Sequence, residues 1–137
     1  MTIEYIIYKI KSKDVNITDI YIGSVEASQY NQRKATHKLY CETYNRDYKV
    51  YNFIRTNGGF NSFEFEIVER KFFENSIEAR MLEENYRQEL QTKNMNTRKA
   101  YRTIEEKRTY ENNYNKQKYQ LEKVSKSMYN LLNNHFN

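Results

Sequence analysis

Apolar and polar positions change their period several times along the chain. Ile3 to Lys11 (IEYIIYKIK) is dense in β-branched and aromatic side chains, the composition of a strand. Asp14 to Asp19 interrupts it with turn-forming residues. Ile20-Tyr21-Ile22 then reads as a second, short strand that Gly23-Ser24 should end, so the two strands form a hairpin with a medium loop. From Gln29 to Tyr44 the spacing turns to threes and fours, with Tyr30, His37 and Tyr40-Cys41 near one face, which predicts a helix. Residues 47–56 predict another, with Tyr48, Tyr51 and Phe53-Ile54 as its apolar stripe. Asn57-Gly58-Gly59 ends it, since glycine adopts positive φ after a helix without strain. Phe63, Phe65 and Ile67 alternate with glutamates, the pattern of a strand with one buried face. Ser76 is a candidate N-cap for a third helix over Ile77 to Leu90, with Glu78 in its first turn. The order β-β-α-α-β-α predicts an α+β fold, a small three-stranded antiparallel sheet flanked by helices.

The last forty residues follow a different rule. They contain no Gly or Pro, and Thr103-Ile104-Glu105-Glu106 has the form of a capping box. Positions 110, 114, 117, 121, 124, 128 and 131 alternate by four and three and hold Tyr, Tyr, Gln, Leu, Val, Met and Leu. That is about three heptads of an amphipathic helix with one polar residue in its seam. The expected division is a compact domain over residues 1–100 and a basic helical extension over 101–137. The extension has three readings: a helix folded back on the domain, a self-associating or partner-binding helix, and an arm that tracks nucleic acid.

Charge sharpens this division. Residues 1–96 carry 14 basic and 14 acidic side chains, whereas 97–137 carry 9 and 4, so the whole net charge of +5 belongs to the extension. Within the domain, residues 29–56 hold Arg33, Lys34, Lys38, Arg46, Lys49 and Arg55 against Glu42 and Asp47. One basic region and one basic tail fit a polyanionic partner. No apolar run approaches the roughly 20 residues of a membrane span, and the N-terminus lacks the pattern of a secretory signal. The single cysteine, Cys41, excludes an internal disulfide and any multi-cysteine zinc site. An intracellular, reducing setting is the expectation. Cys41 reads as a small apolar filler, His135 as inert, and Gly58-Gly59 as a loop device that lacks the frame of a phosphate cradle.

Candidate chemistry is spread along the domain in a fixed order. Tyr8 lies in the first strand and Tyr21-Ile22-Gly23 in the second. Arg33 and His37 are four residues apart, so one helical face presents both. Glu83 and Glu84 lie on the third predicted helix, and Asn96 follows. This ordered set resembles the GIY-YIG endonuclease family, in particular members from large DNA viruses. Tyr8 stands for the first motif, Tyr21-Ile22-Gly23 for the second, and Arg33, His37, Glu83 and Asn96 complete the set; Tyr51 to Phe60 (YNFIRTNGGF) resembles the family's middle region. The resemblance covers roughly residues 4–100. Ile6 stands where the family's first motif begins with Gly. The family's Asn falls twelve residues after its Glu, a spacing that Asn96 keeps from Glu84 and misses by one from Glu83.

The resemblance implies a DNA endonuclease that needs Mg²⁺, with Mn²⁺ as a substitute. It implies Glu83 as metal ligand (Glu84 as the alternative), Arg33 on the scissile phosphate, Tyr8 or Tyr21 as general base with the other orienting water or phosphate, His37 as a relay to that tyrosine, and Asn96 as a residue that positions substrate or braces the site. Lys34, Lys38, Arg55 and the backbone at Gly23 would contact DNA. These roles suit the reaction. Mg²⁺ keeps most of its waters and needs few protein ligands, and an arginine fork matches a phosphate. Two copies joined through the C-terminal helix would cut two strands. The competing reading is a nucleic-acid-binding module without catalysis, its basic stretch and interleaved tyrosines stacking on bases, with a coiled-coil-like interaction helix.

Overall fold

The computed structural model describes residues 1–90, 95–96 and 99–136. The chain forms two units, Met1–Tyr101 and Arg102–Asn137.

The first unit is the predicted α+β arrangement. Strands β1 (Ile3–Ser12), β2 (Ile20–Glu26) and β3 (Phe63–Phe73) make one antiparallel sheet in the order β2-β1-β3. Helices α1 (Tyr30–Glu42) and α2 (Lys49–Thr56) link β2 to β3, and α3 (Ser76–Glu89) follows. Ile6, Tyr8 and Ile10 alternate along β1 and bury against Cys41 of α1 and Val50, Tyr51 and Ile54 of α2. Cys41 is therefore core filler. Gly58 and Gly59, at φ 101° and 85°, end α2 as expected. The cap of α3 is Asn75 rather than Ser76: its Oδ1 accepts from Glu78 N at 3.1 Å.

The second strand runs further than the sequence suggests. Gly23 does not stop β2; it sits in mid-strand opposite Tyr8. A Cβ there would come within 2.5 Å of Tyr8 Cζ and Oη, so the strand needs glycine to make room for the Tyr8 ring. On its other side β1 pairs with β3, and the register slips between Ile7 and Tyr8: Ile7 faces Glu69, and Tyr8 faces Ile67. Val68 is the extra residue. A bulge of this kind bends the sheet and re-aims the neighbouring side chain, here Tyr8.

The second unit is one helix, α4 (Ile104–Phe136). Thr103 Oγ1 accepts from Glu106 N, and Glu106 Oε2 accepts from Thr103 N, a complete capping box. The seam residues Tyr110, Tyr114, Leu121, Val124, Met128 and Leu131 are all more than half exposed. Among the described residues no helix is long and apolar enough to cross a membrane.

Candidate active site

The site is built where the edge strand β2 meets α1, α2 and α3. Tyr8 enters from β1 and is 1% exposed. Its hydroxyl lies 2.8 Å from His37 Nε2, and the other ring nitrogen, Nδ1, lies 2.8 Å from the Tyr51 hydroxyl. The imidazole is thus held between a strand tyrosine and an α2 tyrosine. Burial, aided by the Arg33 charge, lowers the His37 pKa to about 4, so the ring is neutral at physiological pH. A neutral imidazole donates from one nitrogen and accepts at the other. One of the two tyrosines on His37 therefore donates to the ring and the other accepts from it. Tyr8 also lies against Tyr21, where it favours the Tyr21 phenolate. Tyr51, His37, Tyr8 and Tyr21 thus form one connected polar cluster.

The two phenols of the family-like pair therefore differ. Tyr8 is sealed in the core, and burial first, then Tyr21, pushes its pKa well above 10. Tyr21 is partly exposed and faces a cavity of about 290 Å³ that Arg33, His37 and Tyr51 also line. Burial raises its pKa too, reinforced by Glu83 and opposed by Arg33 and the Tyr8 bond. Arg33 is exposed and makes no hydrogen bond or ion pair with another described residue. It also borders a second depression of about 370 Å³ shared with Gln29, Gln32, Thr36 and Tyr40. Its charge reaches Tyr8, Tyr21, His37, Tyr51 and Glu83 alike, which places all five groups in one electrostatic neighbourhood.

The two candidate carboxylates part company on α3. Successive helical residues point about 100° apart. Glu83 turns toward β2 and accepts from Ser24 Oγ at 2.5 Å. Burial raises its pKa to about 7 against the pull of that bond and of Arg33. Glu84 turns the other way. It accepts from Arg87 Nη2 at 2.6 Å and Nε at 2.8 Å, from Gln88, and from the backbone of Ala100 at 3.0 Å. Burial acts to raise its pKa, yet these donors outweigh it and hold Glu84 at about 2. Its oxygens tie α3 to the segment that leads into residue 101. Asn96, thirteen residues after Glu83, is a brace: it accepts from Ile22 N at 3.0 Å and donates to Ile22 O at 2.7 Å. With Met95 N on Ile20 O it covers the outer edge of β2, as a fourth strand would.

Of the residues expected to contact DNA, Lys38 is exposed. Lys34 lies over the Tyr30 ring at 4.8 Å. Arg55 points inward: it donates to Cys41 O, Arg46 O and Asn52 Oδ1, fastening the α1–α2 loop. Gly23 serves Tyr8, as described above. Sequence reasoning missed two members of the site, Ser24 and Tyr51. For Tyr51 a signal existed, because a buried phenol must find a hydrogen-bond partner.

The resting charge of Glu83 has a measurable consequence. Its folded pKa of about 7 lies above the unfolded value of 4.5. The folded state therefore holds the proton more tightly, a contribution complete below pH 4.5 and lost as pH rises through 7. His37, depressed to about 4, acts in the opposite sense and only below about 6.5. In EDTA the melting temperature should thus fall between pH 6.5 and 8, and Glu83→Gln should remove that fall. An equal fall in the variant would contradict the assignment.

No family model, curated protein or solved structure matches this chain.

Proposed function

We propose that the chain is a metal-dependent DNA endonuclease of the GIY-YIG type. The observation that carries this reading is that Tyr21, Arg33 and His37 line one open cavity at the edge of β2, with Tyr8 hydrogen-bonded to His37 behind it and Glu83 held by Ser24 of the same strand. In the family-like order these residues come from four separate elements, and a core that needed only packing would have no use for an arginine without a hydrogen-bond or ion-pair partner among the described residues whose charge acts on a buried carboxylate.

The donor set suits Mg²⁺. Glu83 offers hard oxygen ligands with a pKa that leaves the carboxylate available near neutrality. Mg²⁺ binds through one or two carboxylates while keeping its waters, so Glu83 would serve as its protein ligand. Bound there, it would stabilise the charge that develops on the phosphate and lower the pKa of water.

The chain's own residues do the rest. Arg33 presents a planar fork to the non-bridging phosphate oxygens. Tyr21, the phenol that reaches the cavity, accepts the proton of the attacking water. Tyr8 donates to the Tyr21 oxygen and steadies its phenolate, and His37, fixed by Tyr51, holds Tyr8 in that role. Asn96 keeps β2 straight beneath them. Tyr21→Phe should lower the cleavage rate at least about a hundredfold, the lower range for general-base catalysis, with DNA affinity retained. The rate of the wild type should climb past neutral pH, because both Glu83 and Tyr21 must lose protons. A Tyr21→Phe variant that cuts at the wild-type rate would remove Tyr21 as base.

The exposed seam of α4 supports a pair of copies joined through this helix. A stripe with Leu121 and Met128 at successive equivalent seam positions and one polar seam residue, Gln117, fits a two-stranded coil with a fixed register. Sedimentation should give a dimer, and Leu121→Lys with Val124→Lys a monomer. A monomeric wild type at micromolar concentration would refute the pairing.

A further inference from the structure

Besides Tyr21, Arg33, His37 and Tyr51, the cavity has further aromatic lining in Tyr40 and Tyr48, together with Lys49, Val50 and Met95. Ring centroids step from Tyr48 to Tyr51 (5.9 Å), to Tyr40 (6.1 Å) and on to Tyr44 (6.2 Å). The Arg46 guanidinium lies over both Tyr40 and Tyr44, at 5.3 and 5.9 Å. Of the tyrosines that line the cavity Tyr48 is the most exposed, at 54%. It occupies the N-cap position of α2, where Ser, Asp or Asn would cap the helix, and it makes no capping hydrogen bond. The helix end does not account for a tyrosine there, and its packing on Tyr51 leaves more than half of the residue open. The volume, about 290 Å³, falls at the lower edge of drug-sized pockets and suits a single ring system.

We infer that the aromatic lining of this cavity takes one unstacked nucleobase of a DNA strand whose adjoining phosphate lies at Arg33. The placement of the phosphate rests on the nuclease reading; the base site does not. Bases inside a duplex are stacked and offer no face to a tyrosine, so only an unpaired or extruded base can enter. The site therefore selects DNA that is single-stranded or distorted where it is cut. Tyr48 supplies the stacking face, Tyr40 and Tyr51 further aromatic wall, and Arg33 the charge.

The test is the affinity of the full-length protein, in EDTA, for an oligothymidylate, for a fully abasic strand of the same length and for a duplex. Tyr48→Ala should lose about tenfold on the oligothymidylate, the loss of one stacked base. Tyr48→Phe should keep the wild-type affinity, and neither change should matter on the abasic strand or the duplex. Equal binding of the oligothymidylate by wild type and Tyr48→Ala, or an equal loss on the abasic strand, would overturn the inference. If Tyr48→Ala does not fold, the wild type decides, since equal affinity for thymidylate and abasic strands overturns it as well. Cleavage of plasmid is scored separately. A stacking effect without metal-dependent cleavage would sink the nuclease reading and keep the base site, and the converse result would do the reverse.

Discussion

Glu83→Gln should reduce metal-dependent DNA cleavage by at least about a thousandfold, while Glu84→Gln should leave an active but less stable protein. A bound ion contributes several kcal/mol to a phosphodiester transition state, and each 1.4 kcal/mol is tenfold in rate. Gln keeps the size of Glu83 and can still bond Ser24, so the fold should persist and DNA affinity should change little. Glu84 has four donors on it and none to spare. Its loss should cost about 2–3 kcal/mol, because Arg87 and the Ala100 amide lose a partly buried partner. Thermal melts and single-turnover cleavage separate the two effects. A Glu84 variant that melts normally and fails to cut would exchange the roles.

Gly23→Ala should lower the melting temperature by roughly 10 °C and depress cleavage with it. The added methyl would stand 2.5 Å from the Tyr8 ring, and Tyr8 has nowhere to go: it is fully buried, pinned by His37 and packed at 5.8 Å against Phe65. Overpacking of this kind costs about 1–3 kcal/mol, and for a domain near 100 residues each kcal/mol moves the midpoint by about 4–8 °C. A smaller side chain at position 8 should absorb the methyl, so Gly23→Ala with Tyr8→Leu should be less unstable than the two single losses added. A single variant that melts like the wild type would show that β2 can bend away.

The contrast between these positions shows what the chain discloses in one dimension. Strand and helix identity follow from local period, and both hold through residue 90. The capping box at Thr103 is equally local and is realised atom for atom. Gly23 is different. As a dipeptide with Ser24 it looks like a strand stop, and its real constraint is a ring fifteen residues earlier on the neighbouring strand. Arg55 looks like one more cation of a basic stretch until its contacts with Cys41 O and Arg46 O are seen. Tyr51 fits an apolar stripe by spacing, and only the fold reveals His37 beside its hydroxyl. The choice between Glu83 and Glu84 could not be made by counting to Asn96. The turn of the helix separates the two, directing one carboxylate to Ser24 and the other to Arg87, and this favours Glu83 in the proposed role. Asn75 and Ser76 are both able caps one residue apart, and local sequence does not rank them.

The proposed function depends on Tyr8, Tyr21, His37 and the Glu83 carboxylate acting as one hydrolytic centre. Incubating the purified protein with supercoiled plasmid, with Mg²⁺ or with EDTA, tests that most directly. The account predicts open-circular or linear DNA with Mg²⁺, none with EDTA, and none with Glu83→Gln under either condition. Intact plasmid with the wild type and Mg²⁺, or equal cutting by Glu83→Gln, would contradict it.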